Sequence, residues 1–152
     1  MAGSGIAQLW NGTTPDEQRN NTTATLLASA ARTATTNSPD QVNHNARGVI
    51  VTLDVTVTPN NAETITVAIQ LKDSASGKYL TISAFTALTA SVLGASPTTE
   101  TYAFTFYPGA VETAATAKHE VQGLPLPRTW RVAVTHSSTG SWTYSVAAAY
   151  IL

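Results

Sequence analysis

Cysteine is absent from this chain of 152 residues, which excludes both a disulfide framework and any thiolate metal site. Charge is scarce as well. Charged residues make up 11% of the sequence against a usual share of about a quarter, and eight Lys or Arg against nine Asp or Glu leave a formal net charge of −1. Such a balance offers no basic footprint to a phosphate backbone, so nucleic acid is not an expected partner. No run reaches the roughly 18 apolar residues of a membrane helix, and the opening MAGSGIAQLW lacks the basic and apolar regions of a secretory signal. Neither a membrane nor export through a classical signal is expected. The G-x-S-x-G, H-E-x-x-H, P-loop and dinucleotide-binding patterns are all missing, and the glycines fall at turns.

Few residues remain that could carry chemistry. His44 lies in an Asn-rich loop, His119 stands beside Glu120 in a polar stretch, and His136 closes a strand, so none has a ligand partner at metal-site spacing. Asp54 is the one carboxylate inside a strongly apolar strand, on its Thr side, where an exposed position or an intersubunit hydrogen bond accounts for it. Trp130, Trp142 and Tyr144 could form a sugar-stacking platform if they faced outward, but they share parity with Val132, Val134 and Val146, which places them in the core. Asn11-Gly12-Thr13 and Asn21-Thr22-Thr23 match glycosylation sequons of the kind that arise by chance in Asn/Thr-rich sequence. The expectation is a protein that is not an enzyme, with no catalytic residue, no metal and no cofactor.

What the chain has in abundance is Thr, at 26 positions, and Ala, at 24. Thr is β-branched and favours strands, Ala fills the tight spaces between them, and a surface with so few charges suits cover by another protein. With 43% hydrophobic residues the length fits one domain with a proper core. Residues 1–23, rich in Gly, Asn and Thr, cannot build a core and read as an N-terminal arm. Its apolar patch of Ile6, Leu9 and Trp10 is what a segment docking on a shell or a sister subunit needs.

From residue 24 to 152 the pattern is that of strands. Residues 24–35 form a first one, and Asn37 to Asn45 a loop. Val49, Val51, Leu53, Val55 and Val57 then alternate with Ile50, Thr52, Asp54, Thr56 and Thr58, and Ile65, Val67, Ile69 and Leu71 repeat the alternation, which predicts a central hairpin. Asp73 to Gly77 is a turn and Tyr79 to Ser83 a short strand; in residues 84–93 Phe85, Leu88 and Val92 have helical spacing, but the Thr and Ser content and Gly94 favour a strand or an irregular crossing over a helix. Tyr102, Phe104 and Phe106 share a strand face, and residues 110–123 read as a helical turn or a long loop. Leu124-Pro125-Leu126-Pro127 cannot pair centrally, because proline lacks the ladder donor. The last twenty-nine residues read as a second hairpin: Trp130, Val132, Val134 and His136 share a face, and Trp142, Tyr144, Val146, Ala148, Tyr150 and Leu152 share another. The fold class is all-β, an antiparallel two-sheet sandwich, jelly-roll or immunoglobulin-like, of seven or eight strands.

Several of these segments carry a resemblance. The Leu-Pro-Arg-Thr-Trp-Arg-Val run from Leu126, the Val-Thr-His from Val134 and the Ser-x-Thr-Tyr-Ser-Val strand from Ser141 resemble small structural proteins of the head-gene clusters of tailed bacteriophages. So do Ala28-Ser29-Ala30-Ala31-Arg32-Thr33 leading to Asn45-Ala46-Arg47-Gly48, then Gly77-Lys78-Tyr79, and Tyr107-Pro108-Gly109. The resemblance implies a virion structural protein, foremost a capsid decoration protein that cements the head shell. It would bind the major capsid protein as a homo-oligomer, a trimer being favoured, at the capsid surface after synthesis in the host cytoplasm. The alternatives are a tail, connector or head-fibre component, or a carbohydrate-binding or adhesion module.

Overall fold

The computed structural model describes residues 22–59, 62–90, 100–111, 113–116 and 118–152. Ile6, Leu9, Trp10, the first sequon and Asn21 of the second lie outside the described residues, as does the end of the 84–93 stretch. The chain is an all-β sandwich of two sheets. Its strands, in chain order, are β1 (Thr23–Arg32), β2 (Thr36–Asn37), β3 (Gln41–Val42), β4 (Gly48–Val57), β5 (Thr64–Lys72), β6 (Tyr79–Ala84), β7 (Leu88–Thr89), β8 (Glu100–Phe106), β9 (Thr113–Thr116), β10 (His119–Gln122), β11 (Thr129–His136) and β12 (Trp142–Ile151). The first sheet runs β1-β12-β4-β8-β10-β9; the second runs β2-β11-β5-β6, with β3 also pairing β11 and β7 also pairing β5.

Taking β2 and β3 as one broken strand, β1-β12-β4-β8 faces β2/β3-β11-β5-β6, the eight-strand order of a jelly roll. Ser38 bridges the break. Its backbone N–H donates to the Val132 carbonyl at 2.8 Å, and its Oγ accepts from the Val132 N–H at 3.0 Å. β11 lies over β12, where Trp130 meets Tyr150 edge-on at 5.9 Å, and the segment after β6 lies over β8, where Phe85 meets Phe104 at 4.6 Å.

Alternation decides burial throughout. Val49, Val51, Leu53 and Val55 are fully buried while Ile50, Thr52, Asp54 and Thr56 between them are half-exposed. Ile65, Val67 and Ile69 of β5, Trp130, Val132 and Val134 of β11, and Trp142, Tyr144 and Val146 of β12 complete the core, each at most 1% exposed. Leu152, expected on the core face, is 44% exposed, one residue past the end of β12 at Ile151.

Two expected hairpins are instead arches. β4 and β5 belong to different sheets, and so do β11 and β12. Alternation reports which face of a strand is apolar, and two strands facing each other across a core carry the same signal as two that share a ladder. Connections of five or six residues, 58–63 and 137–141, are long enough to cross the roughly 10 Å between sheets. Within the eight-strand frame, β5–β6 does form a hairpin, and Asp73 closes its loop: its carboxylate accepts the N–H groups of Ala75 and Ser76, both at 3.1 Å, and Gly77 takes a φ of 69°.

Residues 110–123, read as a helical turn or loop, supply β9 and β10. These extend the first sheet past β8, and β10 joins β8 in parallel, the exception to an otherwise antiparallel sandwich. A four-residue strand such as His119–Gln122 is held by backbone pairing at the rim and has no apolar alternation for the sequence to display. The proline-rich 124–127 stretch pairs with neither sheet, as expected.

Candidate interaction surfaces

The outer face of the first sheet is nearly free of charge. Across it run Thr143, Ser145, Ala147, Ala149 and Ile151 of β12, paired with Val57, Asp54, Thr52, Ile50 and Gly48 of β4, and β4 in turn pairs Ile50 with Thr105, Thr52 with Ala103 and Asp54 with Thr101. Among the described residues Asp54 is the one carboxylate or cation at the outward positions of these three strands, and it accepts a hydrogen bond from Thr101 Oγ1 at 3.0 Å. That bond lies within the chain, where an intersubunit one was an alternative. His119 continues the face on β10, its Nε2 2.9 Å from Thr105 Oγ1. Strand spacing makes β1 to β10 about 20 Å wide and the strands about 25 Å long, a plane on the order of 500 Å².

The outer face of the second sheet has the opposite character. The Asp40 carboxylate, from the segment between β2 and β3, accepts hydrogen bonds from Lys72 Nζ at 2.6 Å and from the Tyr79 hydroxyl at 2.7 Å. Arg131 lies over the Tyr79 ring, its Cζ 3.4 Å from the centroid, and donates through Nε to Gln70 Oε1 at 2.8 Å. The Lys72 bond, then the Tyr79 bond, holds the Asp40 carboxyl below its ordinary range. These groups satisfy one another, which makes the patch a polar brace over β11, β5 and β6.

At the end of the sandwich bounded by the β1–β2 and β11–β12 connections, His136 Nε2 lies 3.1 Å from the Tyr144 hydroxyl, and the Arg32 guanidinium stacks 4.5 Å from the Tyr144 ring centroid. Arg32 also donates to the carbonyls of Ala28, Ala30 and Tyr144, at 2.6, 3.1 and 2.6 Å. It thereby closes the irregular half of β1, where the register with β12 shifts. Burial pushes His136 below its ordinary pKa of 6.5 and Arg32 adds to the effect, while Glu63 opposes it. A depressed folded pKa means that the unfolded chain binds the proton more readily. Stability is therefore complete above about pH 6.5 and falls as pH drops through that value. The melting temperature is expected to decline from neutral to mildly acid pH, and His136→Gln to flatten the decline; an unchanged slope in the variant would remove His136 as its source.

The third surface is a groove of about 540 Å³ at the free edge of the second sheet. Leu71, Leu80 and Ile82 form one wall and residues 124–127 the other. Leu80 is 63% exposed and Leu124 38%, whereas Leu126 is buried and anchors its wall. The anchor is Asn43, whose Nδ2 donates to the carbonyls of Ala46 at 2.9 Å and Leu126 at 3.3 Å. Among the described residues, β6 pairs only with β5, so its other edge is open to pairing by a further strand.

The residues considered for chemistry are dispersed. His44 is exposed, His119 and His136 lie on different sheets, and no group of three or more His, Asp or Glu converges among the described residues. Trp130, Trp142 and Tyr144 are fully buried, so they offer no stacking platform. Glu120 was not legible as a structural residue. It is 4% exposed on the inner face of β10, and its Oε2 accepts the Thr86 N–H at 2.8 Å, tying the rim of the first sheet to the segment after β6. Its partner is a backbone amide 34 residues away, which leaves no sequence signal. No protein-family model matches the chain, and no curated protein matches it.

Proposed function

We propose that this protein is a non-catalytic virion structural protein of a tailed bacteriophage, a decoration protein that cements the head shell as a homo-oligomer at the capsid surface. The observation that carries the reading is the flat, nearly uncharged outer face of β12, β4 and β8. A sheet face built from Thr, Ser, Ala and Ile desolvates at little cost, so it suits contact with another protein better than permanent exposure. The motifs behind the phage resemblance also fall where this sandwich needs punctuation: Arg32 at the irregular half of β1, Gly48 at the start of β4, Gly77 in the β5–β6 loop and Gly109 after β8. The jelly roll is a known capsid architecture, though it serves lectins too, so the fold alone does not choose between them.

Magnitude argues for several copies. A face on the order of 500 Å² falls short of the roughly 800 Å² per partner in a stable standard interface. Linked copies gain the difference through effective concentration. The test is binding to undecorated heads by wild type and by Thr52→Lys and Ala147→Lys, which place cations on neighbouring, half-exposed positions of the face. Both variants are expected to melt like wild type and to bind at least about tenfold more weakly, a loss of about 1.4 kcal/mol. Binding that is absent in wild type, or unchanged in both variants, would overturn the proposal.

A further inference from the structure

We infer that the groove between β6 and residues 124–127 receives residues 6–10 of a second copy of this chain, so that each copy gives its N-terminal segment to one neighbour and accepts that of another. The inference deepens the homo-oligomer part of the reading above and rests on it. The groove is apolar, open, and flanked by a strand edge that can take an added strand, with Leu80 63% exposed at its lip. Ile6, Leu9 and Trp10 are, with Met1, the large apolar residues of the 21-residue stretch before Thr22, and they fall within five consecutive positions that end on an aromatic anchor.

Where that stretch joins the fold favours a neighbouring copy. The Thr22 carbonyl accepts the Tyr150 N–H at 2.8 Å, so the chain enters beside β12, at the β1 edge of the first sheet. With β11 over β12 and the segment after β6 over β8, the groove lies at the opposite lateral edge. Entry point and groove nonetheless share one end of the sandwich: Ile151 accepts from Arg47, and Asn43 of the same loop bonds Leu126 and Arg128. Donor and acceptor on opposite edges at one end make a heterologous contact, which closes into a ring when the rotation between copies allows. Trp10 precedes Thr22 by twelve residues, a reach of about 40 Å when extended, ample to enter a groove abutting the β1 edge. The route to the chain's own groove instead crosses the whole end of the sandwich over the loops at 43–47 and 107–110.

The test uses full-length protein: light scattering for size, and acrylamide quenching of tryptophan emission, which reports Trp10 because Trp130 and Trp142 are fully buried. Wild type is expected to form a closed oligomer with Trp10 shielded, and to lose both size and shielding together on dilution. Trp10→Ala and Leu80→Asp should each weaken assembly about thirtyfold or more and give monomers with an unchanged circular dichroism spectrum. Leu124→Asp, on the other wall, should repeat the Leu80→Asp result. Mixed in equal amounts, Trp10→Ala and Leu80→Asp proteins should form a dimer and nothing larger, because one retains only a groove and the other only a segment. A monomeric wild type whose Trp10 stays shielded at every dilution would mean docking on its own groove and overturn the inference. So would a solvent-exposed Trp10, an oligomer that survives both substitutions, or a mixture without dimers. No shell protein is present, so failure here and failure to bind heads are separate results.

Discussion

Deleting residues 142–152 is expected to abolish soluble, folded protein. β12 lies between β1 and β4, so its loss strips β1 of its ladder partner and opens one side of β4. It also removes Trp142, Tyr144, Val146 and Ala148, none more than 2% exposed. Truncating a single buried Trp to Ala costs about 3–5 kcal/mol, and a whole domain of this size is stable by only about 5–15 kcal/mol. Several such side chains and two ladders together exceed that margin. Expression followed by circular dichroism and a thermal melt decides the matter: a soluble truncated chain that melts like the parent would show that the core does not depend on β12. Removing Leu152 alone should be tolerated, since it is 44% exposed and lies beyond the ladder.

Gly48→Ala should be among the most damaging single substitutions outside the large core side chains. Gly48 opens β4 opposite Ile151, and an added Cβ would collide with the Phe106 carbonyl oxygen and lie 3.1 Å from Tyr107 Cα, both backbone atoms with no rotamer to relax. β4 and β8 would have to separate where their pairing begins. Overpacking that moves backbone costs about 3 kcal/mol, which in a chain of this length lowers the melting temperature by about 10 °C. Gly77→Ala is the informative comparison, because its Cβ would meet nothing within 4 Å and only its φ of 69° is strained. Equal, small losses in the two variants would mean that β4 and β8 adjust freely at Gly48.

Much of this architecture is legible in the residues, and its gaps have common causes. Period-two alternation in Val49 to Val57 and in Trp130 to His136 finds the strands and their buried faces, since burial is a property of each strand alone. It is silent on which strand lies alongside and which lies across, so the two arches read as hairpins. β9 and β10 escape because a rim strand is held by its backbone, and Glu120 because its partner is an amide. The Leu-Pro-Leu-Pro segment reveals that it cannot pair, but that Leu124 and Leu80 wall one groove depends on the path of the chain past the free edge of β6. The burial of Trp130, Trp142 and Tyr144 follows from parity, and the structure agrees. The charge-poor outer face is foreshadowed only in composition: the Thr and Ala count anticipates such a surface, while its gathering on one sheet required the strand order.

The pairing of β1 with β12 sets the order in which the molecule can be completed. Among the described strands β1 is made first, and its ladder partner β12 is made last. β4 likewise waits for β8 on one side and β12 on the other, so a nascent chain holds Val49, Val51, Leu53 and Val55 in a strand without both ladder partners until β12 has been made. Of the successive strands in the eight-strand frame, only β5 and β6 can pair as they emerge. Closure over such long separations in sequence places this fold among slow folders, in the range of milliseconds to seconds. Its low charge then has a cost as well as a use, because the unfinished chain carries little electrostatic repulsion to keep its copies apart while the last strand is still being made.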